Sequence, residues 1–269
     1  MIVASAQSSV FALTLFSALA YLSAAFLTHA RDRVGRSGAF LLSSAAVSHA
    51  VVLWLGLTQP PRFGFGPALS MTAWMALAVY GIESFRYRLR QLRWRLALTG
   101  AVTVVLAWVF PGVELLESQR TWLPLHLAVG MSSYGLFTVA VLHAWLMSQA
   151  ERRMRSGGLA LETDSESSSL PLMTLERLTF RFVAFGFVLL TATIVLAGFG
   201  EVGGGWHWSH KTVFSMLSWL VFAVLLWGHS YRGWRGQRTV RAIYVGAALL
   251  LLGYAGSHFV LEVLLHRTV

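Results

Sequence analysis

The chain has 269 residues, of which 56% are hydrophobic and 12% charged, with a formal net charge of +10 and no cysteine. Because a soluble domain of this length carries about a quarter charged residues, the composition argues against an ordinary soluble enzyme. The lack of cysteine excludes disulfides, thiolate nucleophiles, iron–sulfur clusters and cysteine-type zinc sites in this chain.

Eight apolar stretches are each long enough to cross a membrane as a helix. A span needs about 20 mostly apolar residues to cross a hydrocarbon core of about 30 Å, whereas barrel strands show short alternating segments. In chain order the stretches are 8–29, 38–57, 66–84, 95–110, 124–148, 178–199, 211–230 and 239–263. The first lacks a preceding basic segment, so it is not expected to be a cleaved signal peptide. The sequence predicts an all-α, polytopic membrane bundle of about eight transmembrane helices.

Basic residues predict the orientation of this bundle. Loops that follow the odd-numbered spans, with the adjoining span ends, hold 17 of the 21 Lys and Arg residues. By the positive-inside rule these loops face the cytoplasm, and both termini lie outside it. The positive charge therefore reports topology and contact with anionic lipid headgroups, and no nucleic-acid partner is expected.

Two loops divide the chain into regions. Residues 149–177 are rich in Gly, Ser and acidic side chains, which is typical of a flexible linker, and they are expected on the cytoplasmic side. Residues 201–211 form a Trp-rich loop on the outer side. We expect an N-terminal four-span region at 1–120 and a second region at 121–269 that contains both loops.

Histidine and tryptophan are the residues that suggest a site. The chain has nine His and eleven Trp, but no Gly-rich phosphate loop, no G-x-S-x-G and no H-E-x-x-H. No catalytic residue is therefore predicted, and the protein is not expected to be an enzyme. The histidines assigned to the outer side are His126, His207, His210, His258 and His266.

Three further histidines lie within spans. His49 is near the middle of the second span, whereas His143 and His229 lie near inner ends. An imidazole inside a membrane is costly to bury and faces protein or a cavity, so it is a candidate site residue. For His143 the sequence leaves open a packed core residue bonded to a neighbouring carbonyl.

Two outer segments combine polar and aromatic groups. The last span carries polar residues at steps of four, which places them along one helical face; they are Tyr254, His258, Glu262 and His266. The outer loop reads GGGWHWSHK and contains Trp206 and Trp208. This polar stripe of the last span is explained equally by packing against neighbouring helices. The tryptophans are explained equally by a belt of aromatic residues at the membrane interface. Together with the histidines they favour haem, because imidazoles ligate its iron and indoles pack on the porphyrin.

Four segments carry a resemblance to a known family. They are LPLHLAVGMSSYGLFTVAVLHAW, LPLMTLERLTF, SMLSWLVFAVLLWGHSYRGWRGQR and LLGYAGSHFVLE. They resemble the membrane cytochrome c assembly proteins of the CcsA/CcmC type, and within these the eight-span YpjD/HemX-like branch of the bacterial inner membrane. The resemblance covers about residues 121–264, and its most specific feature is WGH followed by GWRG.

The resemblance implies non-covalent binding of haem, expected as haem b, and a part in c-type cytochrome maturation with other assembly proteins. In that family a Trp-rich WWD loop presents haem between two external histidines. Trp206 and Trp208 match this loop, whereas Ser209 stands where the family has aspartate. His126 matches the first external histidine, and the second is His258 or His266.

The resemblance further assigns His229 to a histidine at the inner end of the span after the loop, and His49 to one in the early part of the eight-span branch. His126 and His258 are the candidate ligands of the haem iron. One alternative is a transporter or its accessory subunit, which holds no haem and lines a proton path with His49, His229 and Glu262. Another is a redox enzyme of the cytochrome b kind.

Overall fold

The computed structural model describes residues 2–30, 36–58, 62–84, 90–114, 123–155, 172–200 and 210–253. These residues form eight helices, each of which overlaps one of the eight predicted spans. The helices are α1 (Ile2–Ala30), α2 (Arg36–Thr58), α3 (Phe65–Ser84), α4 (Arg90–Val109), α5 (Leu123–Arg155), α6 (Leu172–Gly200), α7 (His210–Arg232) and α8 (Gln237–Leu251). The predicted all-α, polytopic membrane architecture is confirmed.

Within the described ranges, six helices are long and apolar enough to cross a membrane: α1, α2, α3, α5, α6 and α7. The first turns of α4 carry Arg90, Arg93 and Arg95, and the described part of α8 has 15 residues. Large apolar side chains face outward, as with Phe40, which is 73% exposed. An exposed apolar surface of this kind suits contact with lipid rather than water.

The predicted linker at 149–177 is shorter than the sequence indicates. Helix α5 continues to Arg155 and α6 begins at Leu172, so both ends of the segment are helical. The reason is that Glu, Arg, Met and Leu are good helix formers in water as well as in lipid, and a hydropathy boundary marks the membrane edge rather than the end of a helix.

A two-stranded antiparallel ladder was not predicted. Strands β1 (Arg62–Phe63) and β2 (Val113–Glu114) pair in the register Arg62 with Glu114 and Phe63 with Val113. The paired Arg62 and Glu114 side chains lie 3.9 Å apart and are both exposed. Strands of two residues each show no alternating pattern, which is why sequence periodicity misses them.

The chain divides into two compact units between Leu125 and His126. The first unit contains α1, α2, α3 up to Ile82, α4 and both strands. The second unit contains α5 from His126, α6, α7 and the described residues up to Gly253, and it also includes Glu83.

Small residues and hydroxyl groups build the core of the first unit. Helix α1 packs against α2 and α4, with Ala18, Val52 and Val104 in one buried cluster. The Ser17 hydroxyl donates to Ser48 Oγ over 2.7 Å. Hydrogen bonds between helices satisfy polar groups that lipid would leave unpaired.

Aromatic packing builds the core of the second unit. The rings of Phe137 on α5 and Phe222 on α7 stack with centroids 3.9 Å apart. Gly186 on α6 makes room for Phe137, since a Cβ there would lie 3.1 Å from its ring. The Ser133 hydroxyl donates to the Gly186 carbonyl over 2.9 Å. Helices α5, α6 and α7 are therefore fixed by contacts that leave little room for larger side chains.

Candidate functional site

His126 lies in the first turn of α5 and is half-buried. Its imidazole lies near the backbone of Thr193 on α6 but forms no hydrogen bond of good geometry with it. One turn further along α5, a Cβ on Gly130 would lie 3.2 Å from Thr193 Cγ2. The small residue at this position lets α6 approach closely enough to cover the imidazole.

The Nδ1 atom of His126 is buried and has no hydrogen-bond partner among the described residues. A buried polar atom without a partner is uncommon, because it loses its bonds to water without replacement. Haem iron takes an imidazole nitrogen as a ligand, and at His126 no hydrogen bond among the described residues would have to break for that. In the described part of the chain, no group of three or more His, Asp or Glu side chains could hold a metal ion; haem needs only one or two protein ligands.

Four predicted site residues fall outside the described residues. They are Trp206, Trp208, His258 and His266. His207 and the Tyr254–Glu262 part of the polar stripe do so as well. The roles assigned to them therefore remain predictions.

His49 is fully buried in the first unit with both ring nitrogens hydrogen-bonded. Nδ1 lies 3.3 Å from the Tyr21 hydroxyl and Nε2 lies 2.7 Å from the Ser70 hydroxyl. A neutral imidazole donates through one nitrogen and accepts at the other, so this arrangement satisfies it completely. The residue links α1, α2 and α3, and a metal-ligand role would require one of these bonds to break.

Replacing His49 by leucine is expected to destabilise the protein by about 2 kcal/mol, because two buried hydroxyl groups lose their partner. The unfolding midpoint in detergent, followed by tryptophan fluorescence, measures the effect. The matched control is His29→Leu, since His29 is exposed on α1. An equal loss in both variants would contradict the structural role of His49.

The WGH segment lies in the last turns of α7, and GWRG forms the turn between α7 and α8. Gly233 and Gly236 have φ of 63° and 66°, a left-handed conformation that glycine adopts without strain. The Trp234 N–H donates to the Gly228 carbonyl over 3.1 Å. A Cβ on Gly228 would lie 2.5 Å from the Trp234 indole. The glycines therefore let the indole fold back onto the end of α7.

His229 is positioned by this turn. Its Nδ1 lies 3.1 Å from the Trp234 carbonyl, to which the N–H donates. The imidazole stacks on Phe180 of α6, with ring centroids 3.3 Å apart and planes inclined by 15°. The carbonyl fixes the tautomer and the phenyl ring fixes the plane, so Nε2 is the nitrogen left for a ligand.

The second unit does not bring His126 and His229 together. His126 is near the start of α5, whereas His229 is near the end of α7. Successive helices in this unit run in alternating directions through the predicted membrane, so these positions lie toward opposite ends.

A buried pair of His143 and Glu83 was not predicted as such. The His143 Nδ1 N–H donates to the Val139 carbonyl over 2.8 Å, in line with the core role that the sequence left open. Its Nε2 lies 3.2 Å from Glu83 Oε2, and the two side chains are 2% and 8% exposed.

Nε2 is the nitrogen that faces the carboxylate, because Nδ1 carries the hydrogen donated to Val139. The two groups lie at ion-pair distance, yet Nε2 of His143 and Oε1 of Glu83 are buried without a hydrogen-bond partner among the described residues. The sequence signal was the position of Glu83 near the end of a span, in a chain with only 11 acidic residues.

A cleft of about 610 Å³ lies between the start of α6 and the end of α7. Its lining includes Phe180 and His229, together with Glu176, Arg177, Arg181 and Arg235. The sequence identified these arginines only as markers of orientation. Their gathering around one cleft depends on the α7–α8 turn, which returns Arg235 to α6.

A sequence profile of the family described as Cytochrome C assembly protein matches residues 5–265. The inner membrane protein YpjD of Escherichia coli K12 is 30% identical over 173 residues, which cover 61% of this chain and 61% of that protein. Less than two thirds of that relative's length is therefore matched. No solved structure gives a significant match.

Two proteins named cytochrome c biogenesis protein CcsA are also similar. That of Guillardia theta is 29% identical over 165 residues, covering 55% of this chain and 54% of its own. That of Gloeobacter violaceus is 27% identical over an alignment of 317 positions that covers 93% of this chain and 91% of its own.

Proposed function

Because this chain belongs to the cytochrome c assembly protein family, we propose that it is a haem-handling membrane protein of c-type cytochrome assembly. It binds haem, in the form of haem b, without a covalent bond and has no catalytic residue of its own. Other assembly proteins are its expected partners. The name of the related inner membrane protein YpjD supports a place in the bacterial inner membrane, with the chain crossing it several times.

The observation that carries the proposal is the unpartnered, buried Nδ1 of His126. In this proposal His126 would hold the haem iron through its imidazole, together with His258 or His266. Trp206 and Trp208 would pack against the porphyrin. Bound haem would contribute its iron and its redox state; the chain contributes ligands, a close helix contact at Gly130 and exclusion of water.

His229 and His49 belong to the less direct part of the proposal, a second haem position on the inner side. At His229 the described residues form a hydrogen bond only with Nδ1, and the side chain lines the cleft. At His49, haem would have to displace Tyr21 or Ser70. His229 is therefore the better supported of the two.

The His126→Ala variant is expected to lose haem. Removing a direct ligand should lower haem content at least about tenfold, since even outer partners of metal ligands are worth that much. The measurement is the absorption spectrum of the detergent-purified protein, oxidised and dithionite-reduced, normalised to protein. His29→Ala is the matched control, because His29 is exposed on α1 and lies outside the proposed haem site.

An unchanged Soret band in His126→Ala would refute the ligand assignment. The same spectra of His258→Ala and His266→Ala identify the second ligand. A wild-type protein that takes up no haem, even with added hemin, would overturn the proposed function as a whole.

The second candidate function is a transporter or its accessory subunit that holds no haem. The buried His143–Glu83 pair favours it, because an imidazole that faces a carboxylate inside a membrane protein is typical of proton-coupled paths. Substrate flux in vesicles that contain no haem would support this function, and its loss in Glu83→Gln would link the flux to the pair.

A further inference from the structure

The cleft between α6 and α7 has an excess of positive charge. Arg235 lies 3.4 Å from Glu176, the one carboxylate among the described residues that line the cleft. No carboxylate in the described ranges lies within ion-pair distance of Arg177 or Arg181. The guanidinium groups of Arg177 and Arg181, which line the cleft, can therefore bind an anion from outside the chain.

The face of α6 that carries these arginines continues as an apolar surface. Arg177 and Arg181 are one turn apart and exposed, and Phe185 and Val188 follow on the same side. Phe185 is 64% and Val188 61% exposed. Residues 182–198 contain no charged side chain, so this apolar surface lies against the acyl chains while the arginines lie at headgroup level.

The two parts of this face select a class of ligand. Guanidinium groups match the oxygens of phosphate, and the adjoining Phe185–Val188 surface suits an alkyl chain. Basic pockets between transmembrane helices on the cytoplasmic side are suited to anionic lipid headgroups. A soluble phosphate compound would leave the apolar surface unused.

We propose that this cleft is a binding site for an anionic phospholipid, with the phosphate at Arg177 and Arg181 and an acyl chain along Phe185 and Val188. Arg235 is held by Glu176 and closes the side of the cleft formed by the α7–α8 turn. The lipid would thereby join the start of α6 to the end of α7. This site is independent of haem at His126, whereas haem at His229 would compete with the lipid, because His229 lines the same cleft.

The test compares three full-length proteins by native mass spectrometry after release from detergent. They are the wild type, Arg177→Gln/Arg181→Gln, and the control Arg238→Gln/Arg241→Gln. The control removes the same charge from exposed positions of α8 outside the cleft. The probes are phosphatidylglycerol, phosphatidylcholine and inorganic phosphate.

The wild type and the control should retain phosphatidylglycerol in preference to phosphatidylcholine, and the cleft variant should bind it about tenfold more weakly. Equal weakening in the control, or no weakening in the cleft variant, would overturn the site. Competition by inorganic phosphate as strong as that by the lipid would overturn the lipid assignment. Should the double variant fail to fold, Arg177→Gln alone is compared with Arg238→Gln under the same criteria.

Discussion

Replacing Glu83 by alanine is expected to destabilise the protein by about 3 kcal/mol, the lower end of the cost of breaking a buried ion pair. His143 would then keep its Nδ1 bond to Val139 but lose the group that faces Nε2. The imidazole would be left either as an unpaired cation or with an unpaired acceptor. The measurement is unfolding in mixed detergent micelles, followed by tryptophan fluorescence.

Two further variants separate charge from general disruption. Glu83→Gln should recover much of the loss, because an amide N–H can donate to the unprotonated Nε2. Glu114→Ala should cost less than about 1 kcal/mol, since Glu114 forms an exposed pair with Arg62 at 3.9 Å. If Glu83→Ala costs no more than Glu114→Ala, the buried pair does not stabilise the fold.

The Gly228→Ala variant is expected to cost about 3 kcal/mol, the upper end of the range for overpacking. The new Cβ would lie 2.5 Å from two atoms of the Trp234 indole, a rigid group without a flexible end that can yield. Moving the indole also strains the contact between the Trp234 carbonyl and His229. The same unfolding measurement applies.

The control for this substitution is Gly56→Ala on α2, where a Cβ would meet nothing within 4 Å. Alanine is the better helix former, so stability should stay the same or rise slightly. In the double variant Gly228→Ala/Trp234→Ala the clash is absent, and the two losses should be less than additive. A Gly228→Ala protein as stable as the wild type would contradict the close packing of this turn.

The helices could be predicted because hydropathy alone identifies a membrane span. Eight apolar stretches gave eight helices, and even the short fourth stretch is helical, as α4. The ends could not be predicted so well: α5 extends to Arg155 because its polar last turns remain helical beyond the apolar run. The ladder of Arg62–Phe63 and Val113–Glu114 joins segments 50 positions apart and leaves no local pattern.

The candidate site was predictable only in part. The depth of a residue in the membrane can be derived from its position along a span, whereas its side-chain contacts cannot. His126 was identified by its place at the start of a span, and the structure adds its unpartnered nitrogen. His49 and His229 look alike in sequence, yet of these two only His49 has both ring nitrogens hydrogen-bonded within the described residues. The pairing of Glu83 with His143 bridges 60 positions and depends on tertiary packing alone.

The bonds of His49 also constrain how the first unit enters the bilayer. Tyr21 belongs to α1, His49 to α2 and Ser70 to α3, and synthesis delivers these helices in that order. A pair of α1 and α2 alone would leave one nitrogen of His49 facing hydrocarbon, at a cost of several kcal/mol by the scale for unpaired polar groups. The third helix removes that cost when Ser70 arrives. Insertion of α1 and α2 into the lipid before α3 is therefore disfavoured. We expect the three helices to enter the lipid together.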